Sequence, residues 1–422
     1  MKYKSLRGMN DLVGEKAKKY SLVESKIISL VDSYGFDEIR TPLTEVTELF
    51  ERSIGSSTDI VNKELYSFED RNNKSISLRP EGTAGVVRAL IENDLDRHGT
   101  DVWYLGPMYR YERPQKGRLR QFQQFGVESL IDQEKSSQEE LIRMELKVIG
   151  CLLDIIEELN IKDFKLEINN IGSTETKKKY SKKLVDFLET NLDKLSDTEK
   201  NRLSSNPLRI LDSKDSVTRD ILKSAPEYED FLSNDEKQHL SKLTNAIEEN
   251  YIKPQIQQSL VRGLDYYSGI VFEVICNDLG AQNAIAGGGF YSKLFEEFGG
   301  NSISAFGFAM GIDRLMDLAR PTENKVLKVF VLDVTKANSN FAIEVFNRIK
   351  MLSDTIQLFF PRTKDSSLKS LLRSVNKKNG DIAIIVGDEE EANKKVIWKD
   401  MKNDIDQELI SLDELENKYT KL

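Results

Sequence analysis

The segment 104–128 constrains the fold most, because two strand-like runs there carry polar residues on one face. Side chains alternate across a β-strand. The first run therefore groups Met108, Arg110 and Glu112, and the second groups Phe122, Gln124, Gly126 and Glu128. Because Gly126 has no side chain, Gln124 and Glu128 are predicted to flank a hole with polar walls and a backbone floor. A hairpin with one face in water remains the alternative interpretation.

The loop between the two runs adds three guanidinium groups, those of Arg113, Arg118 and Arg120. Guanidinium groups match phosphate oxygens in a bidentate way, so this pattern favours binding of a phosphate-bearing ligand. Neither the Walker spacing nor the dinucleotide-binding glycine pattern occurs. The run Gly287–Gly289 has the wrong spacing for both and is predicted to mark close backbone approach at the end of a strand.

Length and composition limit the class of protein. A chain of 422 residues suggests about three domains. Two cysteines and two histidines, none at short spacing, argue against a disulfide framework or a structural zinc site. No apolar run approaches the length of a membrane helix. The first residues lead into no hydrophobic signal region, so a cytoplasmic protein is expected.

Charge is distributed unevenly over an acidic chain whose net charge is −9. Residues 104–124 carry five Lys/Arg against one Glu, residues 336–378 nine against three acids, and residues 381–416 four against twelve. Local positive patches on an acidic protein suit the binding of phosphates at defined places.

Hydrophobic periodicity predicts an α+β chain in three parts. Helices are predicted at 15–33, after 83 and at 137–158, and strands at 35–42, 65–68, 75–78, 101–111, 121–130, 269–275 and 284–286. Together they form an antiparallel-sheet domain from 1–172 and 258–322, interrupted by a helical insertion at 173–257. From 327 to 422, strands at 327–333, 356–360, 381–386 and 394–399 alternate with helices at 338–352 and 366–378, which is typical of an α/β domain.

Several segments carry a resemblance to a known family. The segment 104–128 resembles motif 2 of class II aminoacyl-tRNA synthetases, and Leu260–Tyr267 (Leu-Val-Arg-Gly-Leu-Asp-Tyr-Tyr) resembles the signature of the histidyl-tRNA synthetases. Other similar segments occur in family order: Arg7–Asp11, Pro42 at the motif 1 proline, Leu78–Ala84, Asn206–Lys214, and Ala305–Leu315, which is similar to motif 3. Their order along nearly the whole chain makes chance similarity unreasonable.

The resemblance implies a histidine–tRNA ligase, which forms histidyl-adenylate and pyrophosphate from histidine and ATP and then charges tRNA(His). Arg110 and Arg262 would be the catalytic residues. The residues implied in ATP binding are Arg110, Glu112, Arg118, Phe122 and Arg314. Those implied in histidine binding are Glu81, Gly82, Thr83, Arg110, Gln124, Glu128, Arg262, Tyr266, Tyr267 and Tyr291.

The same resemblance implies partners and further parts of the architecture. Arg113, Gln115 and Arg120 would meet the acceptor end of the tRNA, and residues 327–422 would be the anticodon-binding domain. A homodimer is implied, as is Mg²⁺ with the pyrophosphate oxygens, although its ligands are not indicated by the sequence. Tyr266 and Tyr267 could not both face histidine if they lay on a strand.

One departure and one alternative accompany the resemblance. Phe290 and Ser292 stand where the family usually has Arg and Asp, on either side of a retained Tyr291; Asp313 stands where Glu is common. The alternative is a noncatalytic paralogue, the regulatory subunit of ATP phosphoribosyltransferase. That subunit normally lacks the C-terminal domain and has a damaged signature, whereas both are intact in this chain.

Overall fold

The computed structural model describes residues 3–55, 58–115, 117–132, 134–276, 283–322, 326–336, 339–352, 356–360, 367–403 and 405–419. The chain divides into two compact units, Met1–Thr322 and Glu323–Leu422. In the described parts of the chain, no helix is both long enough and apolar enough to span a bilayer. Residue 116 of the predicted loop between strands 101–111 and 121–130, residue 338 of the predicted helix 338–352, and residues 361–366 of the basic stretch 336–378 lie outside the described residues.

The first unit contains both helices and strands. Its strands are β1 (Asp37–Glu38), β2 (Thr44–Val46), β3 (Tyr66–Glu69), β4 (Ser75–Leu78), β5 (Asp101–Tyr109), β6 (Gln121–Asp132), β7 (Phe164–Asn170), β8 (Gln255–Ile256), β9 (Ser268–Cys276), β10 (Ala284–Tyr291) and β11 (Ile303–Gly311). Its α-helices are α1 (Glu15–Ser33), α2 (Thr47–Ile54), α3 (Thr83–Glu92), α4 (Gln138–Glu158), α5 (Thr174–Glu189), α6 (Asp197–Ser205), α7 (Ser216–Leu222), α8 (Asn234–Asn250), α9 (Leu294–Glu297) and α10 (Ile312–Leu318). Short 3₁₀ helices occur at Leu192–Lys194, Pro207–Asp212 and Tyr228–Phe231, and a π-helical turn at Ile60–Glu64.

Among the described residues, eight strands form one sheet in the order β1-β5-β6-β11-β10-β9-β7-β8. Neighbours are antiparallel except for the two edge pairs, β1 with β5 and β7 with β8. A smaller sheet has the order β2-β4-β3. The antiparallel sheet predicted from the hairpin is therefore confirmed, and β5 and β6 pair through nine registered residues, from Asp101↔Ser129 to Tyr109↔Gln121.

Two apolar layers cover the large sheet. On one face, Val23, Ile27 and Val31 of α1 repeat at four-residue spacing and pack in one core with residues of α4 and α8. Such spacing places side chains on one side of a helix, so burial of that side fixes the helix against the sheet. A reciprocal capping box between Ser137 and Glu140 begins α4. The other face is covered by α3, α5 and α9, and the functional cavity opens there.

Two predicted strands differ from the structure, and several strands were not predicted. The strand predicted at 35–42 is only two residues long, although it is an edge strand, as the proline at 42 favours. The strand predicted near 284–286 continues through Gly287–Gly289 to Tyr291 and pairs on both sides. A Cβ at Gly288 would collide with the carbonyl oxygen of Gly307, so the close backbone approach occurs inside the sheet. Strands β2, β7, β8 and β11 were not predicted.

The region 173–257 is mainly helical, as expected, but its helices are partly buried. Tyr180, Leu184 and Ile210 belong to the core on the side of α3, while Leu243 and Ile247 of α8 belong to the opposite core. Burial of aliphatic side chains of this kind contributes about 1.5–3 kcal/mol each. The whole region lies within the first unit, and its treatment as a separate domain remains a prediction.

The second unit has the α/β pattern that its sequence predicts. It contains β12 (Leu327–Asp333), α11 (Asn340–Lys350), β13 (Ile356–Phe359), α12 (Leu368–Lys377), β14 (Ile382–Val386), α13 (Asp388–Asn393), β15 (Lys395–Asp400), β16 (Glu408–Ser411) and α14 (Leu412–Tyr419). The strand order is β13-β12-β14-β15-β16, with the first three parallel and the last two joined by antiparallel pairing. Helices α13 and α14 and strand β16 were not predicted.

Candidate active site

A cavity of about 240 Å³ lies over the face of the large sheet, bounded by the α3 N-terminus, the 262–267 loop and α10. The predicted residues that line it are Glu81, Thr83, Arg110, Glu112, Arg118, Phe122, Gln124, Arg262, Tyr266, Tyr267 and Arg314. These side chains come from distant parts of the sequence, and the fold brings them together.

Buried polar groups form a connected network at one end of the cavity. The carboxylate of Glu81 accepts hydrogen bonds from the backbone N–H groups of Thr83 (2.7 Å) and Ala84 (2.9 Å). Gly82 N donates to Gln124 Oε1 at 3.0 Å. Because buried polar groups are costly unless they are paired, this network fixes the chain at the start of α3.

Glu128 and Tyr291 lie directly behind this wall of the cavity. Thr83 Oγ1 donates to Glu128 Oε1 at 2.7 Å, and the Tyr291 hydroxyl donates to Glu128 Oε2 at 2.8 Å. Glu128 is only 2% exposed. Burial raises the pKa of Glu128 to about 8, although the two hydroxyl hydrogen bonds lower it. Burial also raises the pKa of Glu81, against its two backbone hydrogen bonds.

The predicted hole above Gly126 is filled, which corrects the expectation from the sequence. The ring of Tyr104, on the neighbouring strand and paired with Gly126, occupies the space that a side chain there would need. The same ring excludes a Cβ at Gly82, and the Tyr104 hydroxyl donates to Gln124 Oε1 at 3.3 Å. Tyr104 therefore supports the polar wall, a role that sequence reasoning missed.

Aromatic rings close another side of the cavity. Tyr266 and Tyr267 lie in a loop, so the alternation of a strand does not apply to them, and both line the cavity. Their ring centroids are 4.6 Å apart, and Tyr266 makes an edge contact with Tyr291 at 5.4 Å. Tilted and edge arrangements of this kind are favourable for aromatic pairs.

Three guanidinium groups converge on the cavity. Arg110 Nε donates to the carbonyl of Pro80 at 2.8 Å, and Arg110 lies 5.4 Å from the Phe122 ring centre. Arg314 donates to the carbonyls of Gly117 (2.9 Å) and Ala284 (2.8 Å). Burial, followed by the positive charges of Arg118 and Arg110, lowers the pKa of Arg314. This mutual repulsion makes an anionic ligand favourable there.

Carboxylates hold two of the cavity's arginines. Arg118 Nη1 lies 3.1 Å from Glu112 Oε2. Arg262 forms an ion pair with Glu273 on β9, and a Cβ at Gly287 would collide with the Arg262 guanidinium. Glu273 and Asp313 also line the cavity but were not predicted as site residues. An acid within the otherwise apolar strand 270–275 was the available signal for Glu273.

The residues predicted for the acceptor end do not line the cavity. Arg113 and Gln115 are exposed on the loop between β5 and β6. The Arg120 side chain packs against its own loop: its guanidinium lies 3.8 Å from the Tyr111 ring centre, and its Nε donates to the Glu112 carbonyl at 3.1 Å. Phe290 packs against the core on the side of α1 and α4, so the family departure there lies across the sheet from the cavity.

Comparisons with known proteins agree on one family. A family model described as histidyl-tRNA synthetase matches residues 8–315. A histidine–tRNA ligase of Francisella philomiragia is 39% identical over 428 residues, covering 99% of this chain and 98% of that protein. One of Malacoplasma penetrans is 38% identical, covering 99% of this chain and 98% of that protein.

Solved structures show the same fold. Apo S. aureus histidyl-tRNA synthetase is 28% identical with a TM-score of 0.79 and covers 99% of both chains. A Bacillus halodurans protein described as an ATP phosphoribosyltransferase regulatory subunit/histidyl-tRNA synthetase is 19% identical with a TM-score of 0.64. It covers 92% of this chain and 99% of that chain, and at this identity the similarity indicates the fold alone.

Proposed function

This chain belongs to the histidyl-tRNA synthetase family, and we propose that it joins histidine to tRNA(His) in two steps at the cavity described above. In the first step, histidine and ATP form histidyl-adenylate and pyrophosphate. In the second, a terminal ribose hydroxyl of the tRNA attacks the activated carbonyl and AMP leaves. The regulatory-subunit alternative has only a distant fold similarity in its favour, at 19% identity.

The presence of a guanidinium cluster and a buried carboxylate in one cavity is the observation that carries this proposal. Arg110 and Arg118 lie close enough to Arg314 to lower its pKa, and Arg110 also acts on Glu81, which lines the cavity with Gln124. A polyanionic triphosphate is favoured beside the arginines, while an α-ammonium group is favoured beside the carboxylate and amide oxygens. Side-chain groups that already point at such charges stabilise them without reorganisation.

In adenylate formation, an oxygen of the histidine carboxylate attacks the α-phosphorus as the bond to the pyrophosphate oxygen breaks. Both reactants are anionic, so neutralisation and in-line placement are the main requirements. Arg110 and Arg262 supply positive charge at the α-phosphate, and Arg118 and Arg314 hold the outer phosphates. Phe122 stacks on the adenine. Glu112 orients Arg118 and contacts the nucleotide.

Histidine selection uses the buried end of the cavity. Glu81, Gly82, Thr83 and Gln124 receive the ammonium group, while Glu128, Tyr266, Tyr267 and Tyr291 shape the imidazole site. A site that must pair both ring nitrogens discriminates strongly against amino acids that lack them, because its buried polar groups would otherwise remain unpaired. The hydrogen bonds of Thr83 and Tyr291 to Glu128 support this role, since they orient the carboxyl group.

Mg²⁺ accompanies the pyrophosphate in this proposal. In the part of the chain that is described, no group of three or more acidic, histidine or cysteine residues is arranged to hold a metal ion. Magnesium in nucleotide sites is commonly held by one or two carboxylates together with phosphate oxygens, and Glu112 on the cavity wall fits such a contribution. The ion would neutralise charge on the leaving group.

The remaining parts extend the same proposal. Arg113, Gln115 and Arg120 contact the acceptor end of tRNA(His), and residues 327–422 bind its anticodon. The enzyme works in the cytoplasm as a homodimer. Exposure of Arg113 and Gln115 beside the cavity-lining Arg118 supports the acceptor-end role.

ATP–pyrophosphate exchange with each of the twenty amino acids tests the first step. We expect exchange with histidine alone, and an Arg262→Ala variant should have a much lower but measurable rate while retaining its unfolding midpoint. Exchange supported by another amino acid, or by none, contradicts the proposal. A normal rate in the Arg262→Ala variant removes that residue from the catalytic assignment without affecting the family assignment.

A further inference from the structure

The loop 261–267 carries Arg262, Tyr266 and Tyr267 but has little backbone support of its own. Among the described residues, it makes one backbone-to-backbone hydrogen bond outside regular elements, from Asp265 N to Ile54 O at 3.4 Å. A loop with few internal hydrogen bonds opens at low cost unless side chains from elsewhere hold it.

Three contacts to this loop come from the helical region 173–257. Asn206 Nδ2 donates to Asp265 Oδ1 at 2.8 Å. Arg209 donates to the carbonyl of Gly263 and lies 3.6 Å from Asp265 Oδ1. Lys177 Nζ donates to the carbonyl of Tyr267 at 2.7 Å. Tyr267 itself lines the active-site cavity, and Gly263 and Asp265 are next in sequence to Arg262 and Tyr266, which also line it.

Local geometry explains why Asn206 and Arg209 act together. Pro207–Asp212 forms a 3₁₀ helix, with Asn206 immediately before it. This helix has three residues per turn, so residues three apart lie on the same side. Proline at the first helical position fixes the entry to the helix. The Asn-Pro-Leu-Arg sequence therefore presents an amide and a guanidinium in the same direction, toward the loop.

The end of α2, in the antiparallel-sheet domain, also contacts this loop. Asp265 Oδ2 occupies the space that a Cβ at Gly55 would need, next to Ile54, whose carbonyl accepts from Asp265 N. Asp265 thus contacts both the helical region 173–257 and the end of α2. Between α5, the 3₁₀ helix and the loop lies a cavity of about 360 Å³. The apolar side chains of the loop pack against the core, and the polar contacts at the edge of this cavity add the hydrogen bonds from the helical region.

We propose that Asn206 and Arg209, assisted by Lys177, are positioning residues that hold loop 261–267 so that Arg262 and the two tyrosines face the substrates. The helical region is thereby required for adenylate formation, without touching either substrate. This inference deepens the proposed function and rests on it for its catalytic measurement.

Histidine-dependent pyrophosphate exchange in Arg209→Met measures the catalytic effect. Loss of a hydrogen bond from a charged donor predicts a kcat about 10- to 100-fold lower, with a smaller change in the KM for ATP. Arg209→Lys, which keeps a charge but not the planar fork, should recover part of the loss. The matched control is Arg202→Met, which breaks an ion pair with Glu199 in the same helical region and leaves the loop untouched.

A double-mutant cycle separates positioning from a general structural effect. If Arg209 acts through Arg262, then Arg209→Met should cost little in an Arg262→Met background. Equal losses in both backgrounds overturn the proposal, as does an unchanged kcat in Arg209→Met. A loss shared with Arg202→Met and accompanied by an equal fall in unfolding midpoint also overturns it.

Hydrogen exchange gives a measurement that does not need activity. The Asp265 amide, whose hydrogen bond to the Ile54 carbonyl depends on the position of the loop, should exchange faster in Arg209→Met than in the unmodified protein and in Arg202→Met. Unchanged protection there refutes the positioning role, even if the unmodified chain is inactive. Absence of histidine-dependent exchange in the unmodified chain, by contrast, contradicts the proposed function itself.

Discussion

The raised pKa of Glu128 gives a sharp prediction about stability. Its pKa is about 8 in the folded chain, against an ordinary value of 4.5, because burial disfavours the charged form. A carboxyl group with a raised folded pKa stabilises the fold fully below its ordinary pKa, and the contribution is lost as the pH rises toward the folded value. Replacement by glutamine in Glu128→Gln removes this titration.

The expected change in unfolding free energy follows from the difference in the number of protons bound by the folded and the unfolded chain. Between pH 4.5 and about 8, the folded chain retains a proton on Glu128 that the unfolded chain has released. Each pH unit in that window therefore costs the unmodified protein about 1.4 kcal/mol relative to Glu128→Gln. Altered hydrogen bonds to Thr83 and Tyr291 add an offset of about 1 kcal/mol, which does not vary with pH.

Urea unfolding at several pH values measures this difference. Trp103 lies in the core of the first unit and Trp398 in that of the second, so both proteins should carry Trp398→Phe and be followed by Trp103 fluorescence. Glu145, whose pKa burial also raises, remains in both and cancels. A free-energy difference that stays constant from about pH 5.5 to about pH 7.5 refutes the reasoning.

Two further predictions concern the proposed sites. Gly287→Ala should reduce histidine-dependent exchange about tenfold or more, because the added methyl displaces Arg262. The control is Gly311→Ala, whose methyl would meet a side chain at an ordinary 3.9 Å and should not reduce exchange. Equal rates in the two variants contradict the steric argument. Arg113→Ala should leave exchange unchanged and raise the KM for tRNA in aminoacylation. Arg71, which is also exposed, is the control, and Arg71→Ala should change neither. An unaltered KM for tRNA removes Arg113 from the acceptor-end contact.

The elements of this fold were largely predictable because their patterns are local. Helix α1 begins and ends at the predicted residues, and β6 covers the predicted Phe122, Gln124, Gly126 and Glu128. Strand β5 ends at Tyr109, before Arg110 and Glu112, which the prediction had included in it. The placement of Tyr104 over Gly126 was not predictable in the same way. It depends on the register between two strands joined by a long loop, and only short hairpin turns fix register from sequence.

The glycine run shows a different limit. Glycine has low strand propensity, so the sequence predicted that the strand ends near Gly287–Gly289. In the structure the strand continues because its backbone fits closely between two neighbours, an effect of tertiary packing. The ion pair of Arg262 with Glu273 likewise joins residues whose proximity depends on the fold. The residue types of the site were therefore accessible from sequence, but much of their mutual support was not.

The glycines around the cavity explain how a sheet can carry so many large polar side chains. Tyr104 occupies the space above Gly82 and Gly126, and Arg262 occupies that above Gly287. Glu128 likewise fills the space that a Cβ at Gly307 would need. None of these four glycines has a left-handed backbone, so the need for glycine is steric. Gly126, Gly287 and Gly307 lower the strand propensity of β6, β10 and β11, while Gly82 precedes α3. Each of the four admits a ring, guanidinium or carboxyl group close to its backbone. The close placement of these groups and the low propensity of the strands beneath them thus have one cause. Enlarging Gly82, Gly126 or Gly287, where the atoms met first belong to side chains, should disturb the site before it disturbs the fold, whereas a methyl at Gly307 would also meet the Val127 carbonyl.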